Sequence, residues 1–187
     1  MASHNLKPLS ALGRETLAVE TIGPVSTAED ADTALASLAI RRGREAEVME
    51  RAAQAGLPLP EPGRAESQGD WGAFWVSPGM WMVEAPFATH EDIVAHLKPL
   101  FGESASITEQ TDAWARFEVA GPLQPLFERL CNLDLERFGP GSATRTMMEH
   151  LGVYAIRRAP DRMTLLGGRS SAYSLHHALV TAARSVF

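Results

Sequence analysis

The 187-residue chain holds a single cysteine, Cys131, so it can form no internal disulfide and no zinc site built from thiolates. Basic charge is also scarce. Seventeen Lys and Arg stand against 23 Asp and Glu, a formal net charge of −6. Without a basic field to neutralise phosphates, a dedicated nucleic-acid binder is excluded. No apolar run approaches the ~20 residues that span a bilayer. The N-terminal "MASHNLKPLSALGRE" lacks the continuous apolar stretch of a signal peptide. The expectation is a cytoplasmic protein with neither a membrane nor a nucleic acid as partner. A reactive cluster is missing as well: no Ser-His-Asp order stands out, and no base sits beside a nucleophile.

What is present is enough apolar material for a core. Hydrophobic residues make up 45% of the chain and charged residues 21%. A protein of this length removes roughly 70% of its unfolded surface from water. Two tryptophans fall in "FWVSPGMWMVEAP" (74–86), where apolar residues flank Ser77-Pro78-Gly79 and Glu84 is the lone acid. Together with "WGA" before it, this reads as a hairpin. Trp75 and Trp81 would then face each other across the turn, filling the core, while Phe74 and Met82 face outward or toward another subunit.

Along the chain, "ETLAVETIG" forms a short strand and "PVSTAEDADT" reads as a polar connector. "ALASLAIRRG" is a strand, and "REAEVMERAAQAG" a helix with Val48, Met49, Ala52 and Ala53 on one face and Gly56 ending it. "LPLPEPGRAESQGD" is loop. After the hairpin, "THEDIVAHLKPLF" is a helix with Thr89 as N-cap and Asp92 in the capping-box position, kinked or stopped early by Pro99. "WARFEVAG" alternates as a strand, and Pro122 opens a helix whose stripe is Leu123, Leu126, Phe127, Leu130 and Cys131. "SATRTMMEH" and "LGVYAIRRA" are strands around Gly152. "DRMTLLGG" is another strand, and "RSSAYSLHHALVTAARSVF" a final helix capped near Ser170 or Ser171.

The second half repeats the first. Leu57-Pro58-Leu59 followed by Pro62-Gly63 answers Leu133-Asp134-Leu135 followed by Pro140-Gly141, in the same place between a helix and a strand. The expectation is an α+β fold of two βαββα-like repeats, mainly antiparallel sheets flanked by helices. The N-terminal segment and connector take 1–30, the first repeat 31–110 and the second 111–187, within one compact unit.

Candidate chemistry is thin. His176 and His177 are adjacent on a helix and point about 100° apart, so they do not share a metal. His90 and His96 fall on different faces, and His150 stands alone. Cys131, on an apolar stripe with nothing to lower its pKa, is a packing residue. "LGGRSSAY" places Arg169 and two serines at a helix start, where an anion could rest, but the spacing matches no phosphate-binding fingerprint. Arg41, Arg42 and Arg44, the pair Arg157-Arg158, and Arg162 concentrate positive charge beside turns, within reach of a partner's acidic surface or an anionic cofactor. Glu84, Glu118 and Glu149 lie on strands, unpaired by sequence.

"FWVSPGMWMV" (74–83), "ARFEVAGPLQPLFERLCNLDL" (115–135), "FGPGSATRTMMEHLGVYAIRR" (138–158) and "GRSSAYSLHHAL" (168–179), in this order, resemble the gamma subunit family of heterotetrameric sarcosine oxidase. The strand, Gly-Pro, helix and "LDL" section also resembles folate-binding domains of the aminomethyltransferase type. The Asp-Asp tract of those enzymes has no counterpart here. The resemblance implies an accessory gamma subunit without catalytic residues or metal ligands, its cofactor-binding residues unknown. Its partners would be alpha, beta and delta subunits that carry FAD, FMN, NAD, tetrahydrofolate and zinc. Such a complex demethylates sarcosine to glycine and yields hydrogen peroxide and methylene-tetrahydrofolate. Left open are a stand-alone folate- or anion-binding aminomethyltransferase-like protein and a scaffold subunit of a methylated-amine dehydrogenase.

Overall fold

In the computed structural model, which describes residues 7–187, the two Pro-Gly turns lie against each other. Ala65 N donates to Gly141 O at 2.9 Å and Ala143 N to Gly63 O at 2.8 Å. Both glycines hold positive φ, +73° and +76°, which a side chain would strain. This reciprocal pair of bonds marks an internal two-fold relation between the halves. The first six residues, part of the N-terminal segment, lie outside the described range.

The first half supplies β3 (Thr33–Ile40), α1 (Glu45–Gln54), β4 (Ala65–Gln68), β5 (Trp71–Ser77), β6 (Met80–Pro86), a single turn α2 (Phe87–His90), and α3 (Ile93–Phe101). After β7 (Ala105–Glu109), the second half supplies β8 (Trp114–Ala120), α4 (Leu123–Leu130), β9 (Ala143–Met148), β10 (Leu151–Ala159), β11 (Arg162–Gly168) and α5 (Ala172–Val186). Ahead of both lie β1 (Val19–Ile22) and β2 (Val25–Asp30). One sheet runs β4-β5-β6-β3-β7 and the other β9-β10-β11-β8-β2-β1, and every adjacent pair is antiparallel. Position for position the orders coincide, so the expected α+β repeats are present. The halves also exchange strands: β2 leads into β3 yet pairs with β8, while β7 leads into β8 yet pairs with β3.

The packing is helix, sheet, sheet, helix. Val48, Ala52, Ile93, Leu97 and Phe101 of α1 and α3 cover one sheet, and Leu123, Leu126, Phe127, Leu175 and Leu179 of α4 and α5 cover the other. Between the sheets lie Leu35, Phe74, Met82, Tyr154, Ile156 and Leu166. The hairpin forms as expected, with Trp75 opposite Trp81 and the Trp81 indole donating to Pro60 O at 2.8 Å. Phe74 and Met82, however, are buried between the sheets and offer nothing to a partner.

Several local expectations are corrected. Residues 25–30, read as a connector, form β2: Val25, Thr27 and Glu29 point inward, and two inward polar residues hid the alternation. β4 interrupts the loop. The α3 N-cap is Asp92, whose carboxylate accepts from Ala95 N at 3.0 Å, because the chain turns between α2 and α3; Thr89 bonds back to Pro86 O. Pro99 does not stop α3, which runs to Phe101. Met49 and Ala53 are exposed, so the buried stripe of α1 is Val48 and Ala52. The β9–β10 turn is at Glu149 and His150, both at positive φ, with Gly152 inside β10.

Candidate functional site

Where the inter-sheet layer leaves its apolar stretch it becomes ionic. Glu84 on β6 is paired across the ladder with Gly72, whose missing side chain lets the carboxylate lie close to β5; a Cβ there would sit 3.2 Å from Glu84 Oε2. The opposite sheet aims two arginines at it. Arg116 Nη1 of β8 donates to Glu84 Oε1 at 2.9 Å, and Arg158 Nη2 of β10 reaches both carboxylate oxygens at 2.7 Å. Arg116 also pairs with Asp30 of β2 at 2.7 Å and with Glu118 at 2.9 Å. Arg158 Nε donates to the Thr164 hydroxyl at 3.0 Å, which donates to Glu118 Oε1 at 2.7 Å and closes the network. Burial alone would raise the Glu84 carboxyl; Arg158 and Arg116 outweigh it and hold it below the usual carboxylate range. Burial likewise opposes the Arg116 charge, and Glu84, Asp30 and Glu118 outweigh that too.

Two hollows flank this network. One of about 370 Å³ lies among Ser67, Asp70, Trp71, Glu84, Arg116 and Arg158. The other, about 250 Å³, lies under Pro8–Ala11 beside Trp114, Asp112, Arg116 and Arg169. Glu84, Arg116 and Arg158 at the first wall are engaged with one another, as are Arg169 and Asp112 at the second. The buried side-chain atoms without a partner, Thr27 Oγ1, Arg157 Nε and His176 Nε2, belong to residues that line neither hollow. Among the described residues no three His, Cys, Asp or Glu side chains converge as a metal set.

The residues singled out by sequence are scattered. Glu84 and Glu118 meet through Arg116, whereas Glu149 sits in the β9–β10 turn. Arg157 and Arg158 are not a docking patch. Arg157 Nη1 donates to Leu135 O at 2.6 Å and Phe138 O at 2.7 Å, pinning the second Leu-x-Leu loop, and Arg158 is the Glu84 partner. Arg41 pairs with Glu103 and Arg44 with Glu47, while Arg42 and Arg162 are exposed. Cys131 lies just past α4, half-buried; burial pushes its thiol up, and contacts with Leu133 and Thr146 pull it partly back. His176 is buried, its pKa lowered chiefly by desolvation, while His177 is exposed and stacks on Tyr173. The break between α2 and α3 brings the His90 and His96 rings to 4.6 Å, although a single helix would part them. Arg169 donates to Leu9 O at 3.3 Å and pairs with Asp112 at 3.5 Å. The network itself escaped sequence reading; its one signal was the charged residues Glu84, Arg116, Glu118 and Arg158 on strand faces that also carry Met82, Trp114 and Ile156.

The sequence matches no protein-family model and no curated protein. Its fold is shared with solved structures. A chain of heterotetrameric sarcosine oxidase from Corynebacterium sp. U-96, solved with pyrrole 2-carboxylate, is similar with a TM-score of 0.75 and 21% identity, over 90% of this chain and 88% of that one. The glycine cleavage system aminomethyltransferase T from Bartonella henselae is similar with a TM-score of 0.59 and 12% identity, over 83% of this chain but 48% of that one. The likeness is one of fold, and it bears out the architecture expected from the resemblance. No described helix is long and apolar enough to cross a membrane.

Proposed function

We propose that this chain is an accessory, non-catalytic subunit of the gamma type in a sarcosine-oxidising complex. The observation that carries the reading is the fold match along nearly the whole length of both chains, 90% and 88%, with a chain of a sarcosine oxidase. The ionic network supports it. Its groups neutralise one another between the sheets, so Glu84, Arg116 and Arg158 are occupied by each other rather than left to bind a substrate. On this reading FAD, FMN, NAD, tetrahydrofolate and zinc reside on alpha, beta and delta chains, and this chain contributes surface.

The test is co-expression with candidate large subunits and mass measurement of the purified assembly. The expected result is a stable complex that oxidises sarcosine, and an isolated chain with neither flavin absorbance nor turnover. Yellow cofactor that stays with the isolated chain through gel filtration would overturn the reading, as would failure to join any amine-oxidising assembly.

A further inference from the structure

We propose that the outer edge of β7 pairs with β7 of a second copy of this chain, joining two sheets into one. The inference is independent of the role proposed above. The internal two-fold provides the standard of comparison. β2 and β7 hold equivalent places in their sheets, but β2 is covered by β1, whereas no described strand lies beyond β7. The opposite edges, β4 and β9, are tied together by the Gly63 and Gly141 bonds.

The register fixes which backbone groups β7 presents. Arg41 N donates to Ser104 O at 2.9 Å and Gln110 N to Leu35 O at 2.8 Å, so even-numbered residues face β3. By the alternation of an antiparallel ladder, Ser106 and Thr108 also bond to β3, and the amides and carbonyls of Ala105, Ile107 and Glu109 point outward. A two-fold axis through Ile107, perpendicular to the sheet, sets Ile107 opposite its own copy and Ala105 opposite Glu109. All three are outward residues, so every exposed donor meets an acceptor.

The side chains agree with that register. Ala105 and Ile107 pack on the α1–α3 side of the sheet, and Glu109 shares their face. Directly opposed residues lie on one face, so Glu109 of one copy arrives beside Ala105 of the other. There, a hollow of about 560 Å³ is lined by Ala105, Ile107, Arg41 and Lys98. Arg41 is engaged by Glu103, while Lys98 has no ion-pair partner among the described residues. The edge thus carries an acid at one end and an unpaired ammonium at the other, which makes it complementary to itself. It also lacks the usual protections of an edge strand, having neither proline, lysine nor bulge.

Analytical ultracentrifugation of the full chain across a concentration series tests this. The expected result is a concentration-dependent dimer with slow exchange of the Ala105, Ile107 and Glu109 amides. Ile107→Pro removes an outward donor and spares the β3 ladder, so the dimer dissociation constant should rise at least tenfold, while the lost Ile107 packing lowers melting of the dilute monomer without unfolding it. Should that variant fail to fold, Lys98→Glu gives the same reading by weakening the dimer, and the exchange Lys98→Glu with Glu109→Lys should restore it. A strictly monomeric chain with freely exchanging β7 amides overturns the proposal. So does a dimer indifferent to these variants, or an edge protected only in a hetero-complex, which would assign it to a partner's strand.

Discussion

At one end of the layer between the sheets, Met82, Trp114, Ile156 and Leu166 pack with Phe74 in an apolar interior. Two residues along the same strands, and on the same faces, stand Glu84, Arg116, Arg158 and Thr164. β6, β8, β10 and β11 each contribute to both the dry end and the ionic end. The two ends join the same pair of sheets by different physics. The dry end gains from every square ångström removed from water, about 25 cal/mol per Å². The ionic end must first desolvate its charges, and its attraction does little more than offset that cost, so its net contribution is small while all members remain. The dry end should therefore degrade gradually under mutation, and the ionic end abruptly.

Glu84→Gln should have the largest effect. Arg116 and Arg158 would remain buried facing a neutral group, a loss of about 3–5 kcal/mol in urea unfolding. A loss below 1 kcal/mol would show the ionic end to be no more brittle than the dry one. The same pair predicts a pH response. The Glu84 pKa is lower folded than unfolded, so its contribution is complete above the unfolded value of about 4.3 and is lost as pH falls through the folded value. Acid unfolding of Glu84→Gln should lack that component, and parallel acid curves for the two proteins would contradict it.

Arg157→Gln comes next. Removing the guanidinium leaves the carbonyls of Leu135 and Phe138 without their donor, costing about 1–3 kcal/mol. Thermal melting of the isolated chain should reveal it, whereas a docking arginine would melt unchanged. Phe74→Leu tests the dry end at about 1–2 kcal/mol, less than a full truncation, because neighbours can close part of the gap. Its effect should be independent of salt. The smallest change is expected for Arg162→Gln, within about 0.5 kcal/mol, since the residue is exposed at a strand end.

Much of the architecture was legible in the sequence because it follows from period and punctuation. The alternation of "WARFEVA", the Leu123–Leu130 stripe and the hairpin at Pro78-Gly79 all form where the pattern places them. The twin Pro-Gly turns revealed the repeat, though not that they touch. β2 was missed because Thr27 and Glu29 occupy inward positions; Glu29 earns its place by accepting from the Leu12 and Ala18 amides, a contact no local pattern announces. The ionic network failed for a related reason. Alternation identifies the face of a strand, but only the opposing sheet decides whether an inward arginine meets a carboxylate. Arg157 and Arg158 consequently looked like surface charge, and Phe74 and Met82 looked available because nothing local showed that a second sheet covers them.

The crossed placement of β2 and β7 bears on how the protein is made. Residues 25–30 leave the ribosome early, but the strand they pair with, β8, begins at residue 114. At roughly 5–20 residues per second, β2 waits several seconds for its partner, while β3 to β6 of the first sheet emerge and can already pair. During that interval it is paired only with β1, and its other edge stays open, the kind of segment that chaperones hold and that neighbouring nascent chains can capture. The final pairing joins distant parts of the chain, so it belongs to the slow, high-contact-order class of folding events. Completion of the second sheet should therefore follow the appearance of the first half, and the β8-facing edge of β2 should gain protection from protease only once residues 114–120 are made.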